Sequence, residues 1–303
     1  MTGSSTLPRA LVVGDVIDDI VVRPLGETTI DTDTTSTIIR SPGGSAANQA
    51  AWLASLGVRT RFVARVGKAD VERHAAELSS YGVEALLGGD DELPTGTIVV
   101  LLGPDGERTM FTDRGANLRL CRADLPVDVL DDVDLLHVNG YTMFERGSRD
   151  AMLQLIEEAR RRGIPFTVDP CSSAYLADAG PFLEWTAGAS VCFPNLDEAT
   201  ALTGCNDVGM SLDALSAVYP VVVLKRGRGG VTVGRRGESP VQLATSALDI
   251  RDTTGAGDAL CAGFIASWLG GAEPLDAAIA GQRAAAVAVS VPGGRPPVKR
   301  NDG

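Results

Sequence analysis

Short, wholly apolar runs recur along this chain between helix-length stretches, and that alternation restricts its folds more than any other feature. Ala10-Leu-Val-Val-Gly14 reads as a buried strand ending at a Gly turn, Arg61 to Val66 as a second strand, and Val71 to Tyr81 as a helix. From residue 130 the pattern becomes regular. Val133 to Val138 is a strand, Ser148 to Arg162 a helix and Pro165 to Asp169 a strand. Ser190 to Phe193 and Val221 to Leu224 continue the sheet, and Ala256–Leu269 and Ala277–Val289 are the last two helices. Strands without polar alternation are covered on both faces, and parallel neighbours need crossover helices. The expectation is an α/β three-layer sandwich with a mostly parallel central sheet. Strand ends carrying Gly14, Asp169 and Asn195 then gather along one edge, where such sheets place ligands.

Two segments break the rhythm. Residues 20–40 are rich in Thr and Asp with short β-branched stretches, Val21-Val22 and Ile38-Ile39. Thr97 to Leu102 and Arg108 to Thr112 flank Gly103-Pro-Asp-Gly106, a strong hairpin signal. Together, approximately residues 20–40 and 95–115 are expected to form a small β lid inserted in a single domain spanning 1–303. A formal net charge of −12 argues against nucleic-acid and anionic-membrane surfaces, which want clustered Lys and Arg. The longest apolar runs are too short to span a bilayer. The start shows no signal-peptide layout, so a cytoplasmic location is expected. Five scattered cysteines and only two histidines leave no zinc-ligand spacing; buried, reduced thiols are expected. The tail after Pro292 reads as Gly/Pro/Lys/Arg-rich with frayed last residues.

The segment Asp252-Thr-Thr-Gly-Ala-Gly-Asp258 opens the helix at Ala256. A helix start presents unpaired N–H groups and partial positive charge, and small residues let an anion approach the backbone. Asp258 beside such a cradle offers a base next to a holder of developing negative charge, as phosphoryl transfer to a hydroxyl requires. A plain helix cap needs only one Asp, Ser or Thr. Gly43-Gly44 followed by Asn48 suits a small hydroxylated ligand, or is a Gly turn before a helix. Asp18 and Asp19 suit a sugar diol, or are solvated loop charge. Asn195 and Glu198, three apart, suit Mg²⁺ through water, or cap a helix. Lys225-Arg-Gly-Arg-Gly-Gly230 reads as a nucleotide-contacting loop or an ordinary turn. Gly255-Ala-Gly257 is no dinucleotide fingerprint, since Leu260 stands where Gly or Ala is wanted, and Gly67-Lys68-Ala69 is no P-loop. His137 reads as structural, and Met143 and Phe144 as pocket or core.

GDVIDD, GGSAAN, NLDE, KRGRGG and DTTGAGD, in this order over about residues 10 to 298, resemble the ribokinase-type (PfkB) carbohydrate kinases. The resemblance implies a ribokinase-like sandwich with a β lid, and transfer of the ATP γ-phosphoryl group, with Mg²⁺, to a hydroxymethyl group of a sugar or nucleoside. It implies Asp258 as the base and the N–H groups of Gly255, Ala256 and Gly257 as the anion hole. It implies sugar contacts from Asp19 (Asp18 the fallback), Gly43, Gly44 and Asn48. Asn195 and Glu198 would stand near Mg²⁺ and phosphate, with Lys225, Gly227 and Gly230 in the nucleotide pocket. Asp252 and the Thr254 carbonyl would lie at a K⁺ site; Pro297 stands where several members use a Ser oxygen, so either a weaker K⁺ dependence or a carbonyl-only site is expected. A ribose- or fructose-like sugar is the expected acceptor; a nucleoside or 2-keto-3-deoxygluconate-type acceptor is the alternative. Arg108 and Arg114 either read an anionic acceptor or are solvated hairpin charges. A homodimer through the lid is expected. The readings of other classes are a non-catalytic sugar or nucleotide sensor and an NAD-linked dehydrogenase.

Overall fold

The computed structural model describes residues 7–28, 30–103, 107–176, 179–245 and 250–297. Its first half runs β1 (Arg9–Val13), β2 (Ile17–Pro24), β3 (Ser36–Gly43), α1 (Ser45–Ser55), β4 (Arg59–Gly67), α2 (Val71–Ser79), β5 (Val83–Asp90), β6 (Gly96–Leu102) and β7 (Arg108–Asp113). Then follow β8 (Leu135–Asn139), α3 (Arg146–Arg161), β9 (Phe166–Asp169), α4 (Ala179–Thr186), β10 (Val191–Cys192), α5 (Leu196–Thr203), α6 (Val208–Val218) and β11 (Val221–Lys225). β12 (Val231–Arg235), β13 (Val241–Leu243), α7 (Ala256–Leu269) and α8 (Pro274–Val289) complete the order.

The large sheet has nine strands in the order β13-β12-β11-β10-β9-β8-β1-β4-β5. It is parallel except at β12, which runs antiparallel to both neighbours. Apolar runs become buried strands because both faces are covered. On β1, Ala10 and Val12 join one core while Leu11 and Val13 join the other. On β11, Val221 and Val223 divide from Val222 and Leu224 in the same way, as alternation along a strand requires. The first core is closed by α1, α7 and α8 through residues such as Leu53, Phe264 and Ala278, the second by α3 and α6 through Met152, Ile156 and Leu215.

The lid is a separate four-stranded sheet, order β3-β2-β6-β7. β2 runs parallel to β6, and the other pairs are antiparallel. The hairpin strands lie where the sequence put them, while Pro104, Asp105 and Gly106 of its turn, and the tail beyond Pro297, lie outside the described residues. β5 was not anticipated. Its sequence, VEALLGGD, carries two glycines, and as an edge strand it is only half covered, so it lacks the continuous apolar run that marks the central strands. The thiols are all free, but only Cys192 and Cys261 are buried; Cys121, Cys171 and Cys205 are partly exposed, which corrects the expectation of uniform burial.

Candidate active site

The start of α7 faces the strand-end edge of the sheet. Gly255 caps it with φ 72°, and a Cβ there would come within 2.5 Å of the Gly294 Cα. Only glycine meets both demands. The N–H groups of Gly255 and Gly257 have no acceptor among the described residues, whereas Ala256 N–H reaches back to the Thr253 carbonyl at 3.3 Å. Of the three N–H groups read as the anion hole, two are thus open and the third makes this longer contact. Its partial positive charge comes from the fourteen-residue helix behind it.

Asp258, on the first turn of α7, is half-buried and accepts two side-chain hydrogen bonds. Ser45 Oγ donates to Oδ1 at 2.6 Å and Asn48 Nδ2 to Oδ2 at 2.9 Å. Burial pushes its carboxyl from 3.8 up to about 7, against the lowering effect of Ser45 and Asn48. Such a carboxylate is tuned for proton transfer near neutrality. Asn48 Oδ1 is buried and has no hydrogen-bond partner among the described residues. Both donors stand on α1, which is anchored at its start by Asp15, whose Oδ1 accepts from Ala46 N at 3.0 Å. Ser45 escaped the sequence reading because its partner lies 213 positions away.

On β2, successive side chains point to opposite faces, and this separates the two aspartates. Asp19 lies against Gly43, where a Cβ would come within 2.2 Å of its carboxylate oxygen. Asp18 is held by both terminal nitrogens of Arg73, at 2.9 and 2.7 Å. Burial, then Asp15, raises the Asp19 carboxyl to about 6, with Arg295 opposing. Gly44 caps α1 and so places Asn48 one turn in. Arg295, in the Gly/Pro/Lys/Arg-rich segment after Pro292, is buried and donates to the carbonyls of Ala47 and Gly43. Its neighbour Gly294 accepts from Trp52 Nε1 at 3.0 Å. Residues 293–295 thus form a wall of the site.

Lys225 does not extend into the Arg-Gly loop. Its Nζ is paired with Asp169 at 3.0 and 3.1 Å, beside Gly257, where a Cβ would stand 3.7 Å from that Nζ. Burial alone would depress the ammonium, but Asp169 foremost, then Cys261 and Glu198, hold it well above the ordinary lysine value. A buried chain extends from this pair. Gln49 Nε2 donates to Asp169 at 2.9 Å, so Gln49 Oε1 accepts from His137 Nε2 at 3.0 Å, and His137 Nδ1 accepts from Thr167 Oγ1 at 2.7 Å. Burial lowers His137 to about 4, so it is neutral and structural, as read from sequence. Gly227 and Gly230 bracket the short turn joining β11 to β12.

Asn195 and Glu198 form a capping box at the start of α5: Glu198 N donates to Asn195 Oδ1 at 2.8 Å, and Asn195 N donates back to Glu198 Oε2 at 2.8 Å. Burial, eased by Lys225, raises Glu198 to about 7. No cluster of three or more metal-ligating side chains occurs among the described residues. This donor set fits Mg²⁺ only as an ion that keeps its own waters and phosphate ligands, with Glu198 holding it through water. The K⁺ expectation fares differently. Asp252 Oδ1 accepts from Thr254 N (2.9 Å), Thr254 Oγ1 (2.7 Å) and Arg108 Nη2 (2.7 Å), and Oδ2 accepts from Gly293 N (3.0 Å). That carboxylate does not fit a further cation. Arg114 is likewise no solvated charge: Nη1 donates to Asp15 at 2.8 Å and the guanidinium lies 3.4 Å from the Tyr141 ring centre.

Comparison with known proteins places this geometry in context. The family described as "pfkB family carbohydrate kinase" matches residues 8–301. Ribokinase from Arabidopsis thaliana is 28% identical over 305 residues, covering 95% of this chain and 78% of that protein. The bifunctional protein HldE of Caulobacter is 28% identical over 322 residues, and the chain, 94% covered, spans 61% of its length. Among solved structures, adenosine kinase from Sinorhizobium meliloti superposes with a TM-score of 0.86 at 26% identity over 96% of both chains. Arabidopsis thaliana ribokinase complexed with ribose and ATP gives 0.77 at 25% over 97% of both.

Proposed function

Because the chain belongs to the pfkB family of carbohydrate kinases, we propose that it transfers the ATP γ-phosphoryl group to a hydroxymethyl group of a small uncharged sugar, ribose- or fructose-like. The observation that carries this reading is Asp258, raised to about 7 on the first turn of the helix whose start offers open N–H groups at Gly255 and Gly257. Asp258 takes the proton of the attacking hydroxyl. The N–H groups of Gly255 and Gly257, with the Lys225 ammonium beside them, hold the negative charge of the transferring group. Asp19, with Gly43, Gly44 and Asn48, binds the other hydroxyls. Gly227 and Gly230 flank the nucleotide. Mg²⁺, held through water by Glu198 with Asn195 fixing that carboxylate, neutralises phosphate charge when bound.

Arg108 and Arg114 are each paired with a carboxylate, which favours an uncharged acceptor over a sugar acid such as 2-keto-3-deoxygluconate. The second reading is a nucleoside acceptor. It draws on the aromatic residues Tyr141, Phe144 and Tyr175, which line one cleft with Gly14 and Asp15. The deciding experiment is ADP release from the purified protein with Mg·ATP across pentoses, hexoses, sugar acids, sugar phosphates and nucleosides. One neutral sugar should stand well above the rest. A nucleoside in that place would move the assignment to the second reading. Ligand-induced stabilisation with no ADP from any acceptor would favour the sensor reading instead.

The chain is taken as one catalytic unit over 1–303, working in the cytoplasm; no helix among the described residues is long and apolar enough to cross a membrane. The lid supports a homodimer, since Ile38 and Ile39 on β3 and Met110 and Phe111 on β7 are exposed. Sedimentation should give twice the 31.5 kDa chain mass, and a monomer's mass at micromolar concentration would count against the pairing.

A further inference from the structure

Arg108 stands on β7, one of the two edge strands of the lid, opposite Leu102 of β6. Its guanidinium leaves the lid and forks onto the loop before α7: Nη2 donates to Asp252 Oδ1 at 2.7 Å and Nη1 to Thr254 Oγ1 at 2.9 Å. The Thr254 hydroxyl passes its own proton toward Asp252 Oδ1. Asp252 also binds Gly293 N, next to the Gly294 that packs on Gly255 and on Asn48. One half-buried carboxylate therefore joins the lid, the cradle loop and the wall that faces the base. Neither partner of the pair is freely solvated; the side chains are 34% and 24% exposed.

We propose that Arg108 is a positioning residue that supplies, from within the chain, the cation required at Asp252, so that lid position is tied to the anion cradle without a bound monovalent ion. The family resemblance implies K⁺ at this carboxylate, and the geometry departs from that expectation. A planar fork satisfies a carboxylate oxygen and a hydroxyl at once, which a spherical ion cannot imitate. A second cation would meet like charge at contact distance. Asp252 thus meets one charged donor, Arg108, beside three neutral ones, Gly293 N, Thr254 N and Thr254 Oγ1. The kinetic arm of this inference rests on the kinase reading above; the stability arm does not.

The test compares wild type, Arg108→Ala and Arg108→Lys in KCl and in tetramethylammonium chloride at equal ionic strength. Wild type should show the same Tm, and the same kcat, in both salts. Arg108→Ala in tetramethylammonium should lose about 10- to 100-fold in kcat, the size expected when a reacting geometry slackens. KCl should restore much of that loss and raise the Tm of the ligand-free variant by about 2–4 °C, as a cation binding the vacated carboxylate would. Arg108→Lys keeps charge without the fork, so its kcat should fall between the two and ignore the choice of salt. A merely structural arginine would not change ion selectivity. The inference is overturned if wild type needs K⁺ for turnover, or if Arg108→Ala behaves as wild type in both salts. An Arg108→Ala Tm that is blind to K⁺ also overturns it. Should no acceptor give ADP, the kinase reading fails, while the Tm comparison still decides the role of Arg108.

Discussion

Replacing Asp258 with Asn is expected to lower kcat by about 10²- to 10⁴-fold, the usual contribution of a positioned general base, with ATP affinity and the fold retained. The fold survives because the new amide can be accommodated. Ser45 Oγ can accept as well as donate, and Asn48, whose Oδ1 is unpartnered among the described residues, can turn that oxygen toward the amide N–H. The wild-type pH profile should carry the same signature. Asp258 is raised to about 7 and acts ionised, so kcat/KM should fall about tenfold per pH unit as the pH drops below that value. The stability sign runs the other way. A carboxyl raised in the folded state favours the fold at low pH, and that contribution is lost as pH rises from its unfolded value through about 7. Asp258→Asn removes the loss, so its Tm at pH 8 should equal or exceed that of wild type. Near-normal kcat in the variant would sink the base assignment.

The largest effect on stability is expected at the Lys225–Asp169 pair. Asp169 is 3% exposed and Lys225 14%. Asp169→Ala strands a buried ammonium and also strips the acceptor from Gln49 Nε2 and from Cys261 Sγ. Breaking a buried pair on one side costs about 3–5 kcal/mol, which for a chain of this size is a fall in Tm on the order of 5–8 °C. Adding Lys225→Met to Asp169→Ala should recover much of that loss, because the uncompensated charge leaves with the lysine. Calorimetry of the single and double variants checks both statements. A single variant within 2 °C of wild type would mean that water already reaches the pair.

What could be read from the chain follows from how local each signal is. The central strands and α7 were legible because burial on both faces writes itself into consecutive residues, as in Val221 to Leu224. Asp19, Gly43, Asn48 and Asp258 were legible as candidates because each sits at a strand end or helix start, where backbone geometry restricts residue choice. Ser45 and Arg295 were not, since their meaning lies in partners 213 and about 250 positions distant. Lys225 was assigned to a loop by its glycine-rich sequel, while its own place on β11 directs it inward to Asp169. Arg108 and Arg114 stayed open between an anionic acceptor and solvent because a hairpin gives no sign of the carboxylates they meet, Asp252 and Asp15.

The wall made by residues 293–295 bears on how the chain matures during synthesis. β1, near the chain start, is inserted between β4 and β8, so one side of the sheet, β8-β1-β4-β5, can pair once residue 139 has emerged. The base, Asp258, arrives much later, and Gly294 and Arg295 later still, to close on Gly43, Ala47 and Trp52. α7 and α8, which close the first core, end only at Val289, so the cleft gains its last side directly after that core is complete. Contacts of such long sequence separation are slow to form. The cleft is therefore finished only after the last helix, α8, has been made.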